Sequence, residues 1–310
     1  MQKLESIPQL GCLRGPLALA IGVFDGLHLG HQEVILAARE HAARHEGRAV
    51  VLTFDPHPLR VLRPESAPLR LCGSRYRAVL LERMGLDAML VCPFTPELAS
   101  TEAEDFVAEL VGVCRPLGCV SVGYAWTFGK NRGGTIHSLM DLGQRHGFAV
   151  YGVPPVRVDG EVVSSTLIRQ AVAAGDLARA AALSGRPYAL FGKVVEGRKL
   201  GRGLGFPTAN VRVEAEMLPP YGVYAASADI GGRTLAGVAN LGVRPTVEKT
   251  GSVPMLEVHF FDWQGDLYAQ DLEVRLGAFM RPERKFAGMA ELRAQIASDV
   301  LLARSAPLPG

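Results

Sequence analysis

Ten residues constrain this chain more than any others: Gly22-Val23-Phe24-Asp25-Gly26-Leu27-His28-Leu29-Gly30-His31. They join an apolar run, Leu17 to Val23, to an amphipathic stretch from Leu29 to His45. An apolar run that enters a helical pattern through glycines predicts a strand-to-helix turn. Glycine lets a backbone approach a bulky anion, and the first turn of a helix offers free N–H groups to phosphate. His28 and His31 are three apart, so in a first helical turn they share a face. Imidazoles there can neutralise a polyphosphate without a permanent charge. A lone His-x-x-His also suits a metal pair or plain surface histidines; the three glycines and Asp25 favour a nucleoside triphosphate, held and opened. No Gly-Lys-Ser/Thr follows, so this is not a Walker loop, and attack at the α-phosphate is expected.

The rhythm around this turn gives the fold class. Of the 310 residues, those from Leu17 to about Val153 alternate between β-rich and helical patterns. Strands are expected over Leu17–Val23, Ala49–Phe54, Ala88–Cys92, Cys119–Gly123 and Phe148–Val153, with helices over Gly30–His45, Arg75–Met84, Thr101–Val113 and Ile136–His146. Thr101-Glu102-Ala103-Glu104 reads as a capped helix start. Such alternation predicts a parallel sheet covered on both faces, with ligands beyond the carboxyl ends of its strands. Two short helices, Ser164–Ala174 and Asp176–Ser184, come next, and Ser184-Gly185-Arg186-Pro187 breaks the pattern. The boundary is set there, giving domains 1–185 and 186–310.

After it come short alternating strands: Phe191–Glu196, Ala209–Val213, Gly222–Asp229, Thr234–Asn240, Met255–Phe261 and Leu272–Leu276. Ile230-Gly231-Gly232 and Trp263-Gln264-Gly265-Asp266 are expected hairpin turns. Six such strands predict an antiparallel barrel, and Arg284 to Leu302 returns to helical spacing. The fold class is therefore α/β plus β: a Rossmann-like α/β domain, then a six-stranded barrel with a C-terminal helix.

Composition removes several functions. The net charge of +2 leaves no footprint for nucleic acid or an acidic membrane. The longest apolar runs are strand-sized, so no transmembrane helix is expected, and Met1 to Gly11 lacks a signal core. The five cysteines, Cys12, Cys72, Cys92, Cys114 and Cys119, contain no Cys-x-x-Cys. Free thiols in a reducing cytoplasm are expected, not a zinc site. Oligomeric state is left open.

Three more segments follow strands or open helices in the first half. In Thr53-Phe54-Asp55-Pro56-His57-Pro58, two prolines stiffen a strand exit. Phe54 offers a wall for a flat ring, and His57 lies near phosphate; the alternative is a rigid turn. Gly123 to Gly134 clusters Tyr124, Trp126, Phe128, Lys130 and Arg132, or is a loop with buried aromatics. Ser164-Ser165-Thr166-Leu167-Ile168-Arg169 places hydroxyls at a helix start with a guanidinium one turn on, an anion cradle.

The second half holds a glycine-rich stretch, Gly192 to Gly197 and Gly201 to Asn210, read as a flap over nucleotide phosphates; the alternative is a long barrel loop rich in turn residues. Thr208 and Asn210 share a face of an extended strand. A hydroxyl and an amide oxygen, completed by phosphates, suit Mg²⁺. Glu257 and His259 share one face of Leu256-Glu257-Val258-His259-Phe260. Asn240-Leu241-Gly242-Val243-Arg244-Pro245-Thr246 and Arg281-Pro282-Glu283-Arg284-Lys285-Phe286 complete the set.

The four first-half segments resemble the nucleotidylyltransferase superfamily. Taken with the second half, they are similar to the bacterial bifunctional riboflavin kinase/FAD synthetase family over nearly the whole chain. The resemblance implies that riboflavin is phosphorylated by ATP to FMN in the barrel, and that FMN is adenylylated to FAD in the α/β domain with release of pyrophosphate. It implies that His28 and His31 hold the ATP phosphates, that Gly22, Phe24 and Asp25 line the nucleotide, and that Ser164, Thr166 and Arg169 grip the triphosphate. Phe54, Pro56, His57 and Pro58 would face the flavin. In the barrel, Glu257 would be the general base, and Thr208 and Asn210 the Mg²⁺ segment. Gly192, Gly197, Gly205 and Pro207 would form the flap, with Arg281 and Phe286 closing near the flavin. The partners implied are small molecules only, in the cytoplasm. Two positions depart from the family. Ala125 stands where Asp or Asn is usual, and Glu196 where a His usually precedes Gly197. The first leaves two alternatives open: a riboflavin kinase whose first domain no longer makes FAD, or a flavin-binding regulatory protein.

Overall fold

The computed structural model describes residues 1–197, 200–244 and 253–309. The chain divides into two compact units, Met1–Leu69 with Arg77–Ser164, and Arg70–Tyr76 with Ser165–Gly310.

In chain order the first part contains β1 (Gln2–Leu4), β2 (Leu17–Ile21), α1 (Leu29–Arg44), β3 (Arg48–Asp55), α2 (Pro58–Leu62), α3 (Ser74–Arg83), β4 (Ala88–Pro93), α4 (Pro96–Ala99), α5 (Ala103–Val113), β5 (Leu117–Gly123), α6 (Ile136–His146), β6 (Ala149–Val153) and a small hairpin, β7 (Arg157–Val158) with β8 (Glu161–Val162). The main sheet runs β1-β4-β3-β2-β5-β6 and is parallel throughout. All five residues of β2 are buried, as a parallel strand covered on both faces requires. From β2 the chain builds outward through β3 and β4, then returns to β5 on the opposite side. The turn after β2 therefore opens at the topological switch point, where ligands of such sheets bind. The core gathers Leu19, Ile21, Leu52, Leu90, Val120 and Leu139.

The second unit holds α7 (Ser165–Ala173), α8 (Leu177–Ser184), β9 (Ala189–Val195), α9 (Leu200–Gly203), β10 (Ala209–Val213), β11 (Gly222–Ile230), β12 (Arg233–Arg244), β13 (Val253–Phe260), β14 (Asp271–Arg281) and α10 (Met289–Ser305). Its strands close as a barrel in the order β10-β13-β12-β11-β14-β9, and every pairing is antiparallel. Val211, Leu241, Leu256 and Val258 are fully buried and alternate with residues on the outer face. The asparagine, glutamate and histidine positions singled out in β10 and β13 are therefore on the outside.

Both units have the expected architecture, and two local expectations are overturned. Gly231-Gly232 does form a two-residue hairpin, both glycines having positive φ (58° and 77°), as the tight turn demands. Trp263-Gln264-Gly265-Asp266 is not a hairpin. β13 pairs with β10 and β12, and β14 pairs with β9 and β11, so the segment between them crosses from one part of the barrel to another. The cap read at Thr101 is also absent. The α5 N-cap is Glu102, without a side-chain bond, and the Thr101 hydroxyl donates to the Glu97 carbonyl instead. A capping box stands at Thr135 and Ser138, opening α6. Pro245 and Thr246, part of one sequence segment above, lie outside the described residues.

Candidate active sites

The β2–α1 turn is held from within. Gly26 has φ 80°, and Phe24 and Leu27 have φ 51° and 39°. A left-handed conformation costs a non-glycine residue roughly 1–2 kcal/mol. Phe24 and Leu27 are each only 1 % exposed, and burying such a side chain contributes about 1.5–3 kcal/mol. Burial thus offsets the strain and sets the turn's shape. A Cβ on Gly22 would come within 3.0–3.3 Å of the Phe24 ring, which is why glycine stands there. Two side chains fix the Val23 carbonyl: Thr53 Oγ1 donates at 2.9 Å and Arg77 Nη1 at 3.0 Å.

Beyond the turn, His28 is the N-cap of α1. Its Nδ1 accepts from the His31 backbone N–H at 3.2 Å. The two imidazoles stack with centroids 3.6 Å apart, and the Phe24 ring meets His31 edge-on at 5.3 Å. Asp25 and His28 are buried. The helical spacing thus does bring the histidines together, stacked on each other with the buried Phe24 edge-on to His31.

β3 and β5 flank β2, so their exits border this turn. His57 caps α2, its Nδ1 accepting from the Leu59 N–H at 3.1 Å. Pro56 follows a cis peptide bond, Pro58 opens α2, and Phe54 packs edge-on against Phe94. In the segment after β5, Trp126 stacks on buried Phe128 at 4.6 Å, both packed into the core. That part follows the plainer reading, a loop with buried aromatics. Tyr124 and Ala125 are exposed. Ser164 ends the first unit, while Thr166 and Arg169 lie on α7 in the second.

In the barrel, Asn210 on β10 pairs in register with Glu257 on β13, and Glu257 pairs with Asn240 on β12. Residues opposite one another across antiparallel strands project from the same face with Cβ atoms about 5 Å apart. An amide, a carboxylate and an amide thus form a row on the outer face. Asn240 Nδ2 donates to Glu283 Oε1 at 3.1 Å. The Glu257 side chain is exposed and makes no hydrogen bond or ion pair among the described residues. Asn210 is 6 % exposed, and its Oδ1 is buried without a hydrogen-bond partner among the described residues. His259 Nδ1 lies 2.8 Å from the Pro207 carbonyl, which ties β13 to the segment before β10.

A cavity of about 720 Å³ meets this row at Asn210 and is lined also by Gly197, Pro207, Thr208, Trp263 and Tyr268; Glu257 and Asn240 are not among its described lining residues. A Cβ on Gly197 would fall 2.2 Å from Asn210 Nδ2, so the flap backbone lies directly on the amide. Gly192 lies within β9, where a Cβ would collide with the Arg212 carbonyl, and neither it nor Gly205 is among the described lining residues. Arg281 forks onto buried Asp299 of α10 (2.6–3.1 Å), and its guanidinium lies 5.8 Å from the Phe286 ring centroid. Sequence reasoning missed the 263–268 wall, taken for a tight turn, and did not single out Thr53 or Arg77 behind the turn. Both hold Val23 through side chains distant in sequence, and no local signal marks them.

The sequence carries both halves of a two-part family. The FAD synthetase model matches residues 13–167, and the riboflavin kinase model matches residues 184–306. The bifunctional riboflavin kinase/FMN adenylyltransferase of Escherichia coli (strain K12) is 37 % identical over 305 residues, covering 98 % of this chain and 95 % of that protein. The chain belongs to the bifunctional riboflavin kinase/FMN adenylyltransferase family. The family member of Pseudomonas fluorescens is 40 % identical over 296 residues, covering 96 % of this chain and 94 % of its own. That of Bacillus subtilis (strain 168) is 35 % identical over 285 residues, covering 91 % and 89 %. Among solved structures, one described as a macrolide-efflux protein from Streptococcus pneumoniae aligns with a TM-score of 0.82 at 28 % identity, over 98 % of this chain and 99 % of that one. Among the described residues here, no helix is long and apolar enough to cross a membrane.

Proposed function

We propose that this chain makes FMN from riboflavin and ATP in its barrel, and FAD from FMN and ATP at the β2–α1 turn. The observation that carries this is the presence of both family halves on one chain. The domain division proposed is 1–185 for adenylyl transfer and 186–310 for phosphorylation, supported by the extents of the two family matches. A cytoplasmic location fits the cysteines, all of which are free.

In the kinase step, Glu257 accepts the proton of the ribityl 5′-hydroxyl as its oxygen attacks the γ-phosphorus of ATP. The bond to the β–γ bridging oxygen breaks, and ADP leaves. The exposed, unengaged carboxylate suits a proton acceptor that substrate must reach. The buried Asn210 Oδ1, lacking a partner, and the Thr208 hydroxyl fit a Mg²⁺ ion, which would neutralise phosphate charge when bound. Glu196 and Gly197 border the cavity as the flap, and Arg281 and Phe286 are assigned to the flavin.

In the second step, an FMN phosphate oxygen attacks the α-phosphorus of ATP, the α–β bridging bond breaks and pyrophosphate leaves. His28 and His31 hold the phosphates, with Gly22, Phe24 and Asp25 against the nucleotide and Phe54, Pro56, His57 and Pro58 towards the flavin. Ser164, in the first unit, is assigned to the triphosphate. Positioning and charge stabilisation suffice for such a displacement. The test is direct. Purified protein with riboflavin, ATP and Mg²⁺ is followed by chromatography of the flavins. FMN should appear first and FAD after it; accumulation of FMN alone would remove the second activity.

A further inference from the structure

Arg77 lies on α3, 54 residues from the carbonyl it holds. It is 6 % exposed, and its Nε is buried without a hydrogen-bond partner among the described residues. It forms no ion pair among the described residues; its recorded contact is Nη1 to the Val23 carbonyl at 3.0 Å. A guanidinium keeps its charge in any protein environment. Burying one without a carboxylate is costly, and such charges are ordinarily paired. Here the charge sits one hydrogen bond from the turn assigned to the nucleotide.

We propose that Arg77 is a positioning residue for adenylyl transfer: it fixes the Val23 carbonyl that shapes the nucleotide turn, and its unpaired charge is balanced when a nucleoside triphosphate occupies that turn. The carbonyl matters because Val23 immediately precedes Phe24, where the backbone enters its left-handed conformation. Thr53, fully buried, holds the same oxygen from β3. The carbonyl therefore stays anchored when Arg77 is changed, and what is lost is chiefly the charge and half of the clamp. The inference rests on the β2–α1 turn being the adenylyl-transfer site.

The test compares Arg77→Met, Arg77→Lys and the double variant His28→Ala/His31→Ala in the full-length protein. FMN adenylylation and riboflavin phosphorylation are assayed separately, with melting followed with and without ATP. Arg77→Met should raise the KM for ATP in adenylylation about tenfold or more, the scale of one lost hydrogen bond to a charged group. Riboflavin phosphorylation should be unchanged, and the melting temperature without ATP should hold or rise, because a buried unpaired charge has gone. Arg77→Lys should recover most of the ATP affinity. Unchanged adenylylation in Arg77→Met overturns the proposal. So does parallel loss of both activities with a lowered melting temperature, which marks a purely structural arginine. A lysine variant as impaired as the methionine variant overturns the role of charge. If the double histidine variant leaves FAD formation intact, it is the assignment of the turn itself that fails.

Discussion

Asn210 and Glu257 face each other across adjacent strands of the barrel, 47 residues apart in the chain and paired in register. The carboxylate is open to solvent, while the amide oxygen is buried and without a hydrogen-bond partner among the described residues. Two polar groups of such different exposure on one face suit two tasks, proton acceptance and ligation.

The general-base assignment is tested by Glu257→Gln. The substitution keeps shape and removes proton affinity. FMN formation should fall about 10²–10⁴-fold, the usual contribution of a positioned base, while FAD formation from supplied FMN continues. Equal loss of both activities would refute separate sites.

Asn210→Leu separates ligation from packing. It removes a buried oxygen that has no partner, an unsatisfied group that costs about 1–3 kcal/mol. Without MgATP the melting temperature should hold or rise, while the Mg²⁺ concentration needed for half-maximal phosphorylation increases. A lowered melting temperature with an unchanged Mg²⁺ dependence would make Asn210 a structural residue.

Gly197→Ala tests the flap. Its new Cβ would stand where the Asn210 side chain now lies, so either the flap or the amide must move. Phosphorylation should fall with the KM for ATP raised, and adenylylation should be untouched. Wild-type kinetics would show that the approach of flap to amide is dispensable.

Ala125→Asp tests the departure that the resemblance pointed to at this position. The position is exposed, so stability should change by less than about 0.5 kcal/mol. The kcat/KM for ATP in adenylylation should rise. No change in rate or ATP affinity would show that the alanine is neutral.

His41 predicts a pH effect on stability. Its ring is buried, bonded to the Tyr151 hydroxyl at 3.0 Å and stacked on His45 at 4.3 Å. Burial chiefly, then His45 and Arg44, hold its pKa below the ordinary histidine value of 6.5. The unfolded chain therefore takes up this proton at higher pH than the folded one. The contribution is complete above about pH 6.5 and is lost as pH falls through the lowered folded value. The melting temperature should drop between pH 7.5 and 5.5, and His41→Gln should flatten that slope. An equal slope in the variant would assign the effect elsewhere.

Local pattern by itself determined much of this protein. The strand-turn-helix at Gly22–His31, the change of rhythm after Ser184 and the Gly231-Gly232 hairpin were legible because periodicity and glycine preferences act over a few residues. Identities carried by that pattern, His28 with His31 and Thr208 with Asn210, could be placed on common faces for the same reason. Tertiary structure alone decided what depends on register and packing between distant segments. It set Asn210 opposite Glu257 and made 263–268 a cavity wall, not a hairpin. It assigned Arg70–Tyr76 to the second unit, where Arg70 pairs with Glu216 and Tyr76 stacks on Phe191. It also brought Arg77 to the Val23 carbonyl. A strand records which faces its residues share but not which strand lies beside it, and a helical arginine carries no mark of the carbonyl it will meet. Those choices follow from burying the sheet and closing the barrel, which involve the chain as a whole.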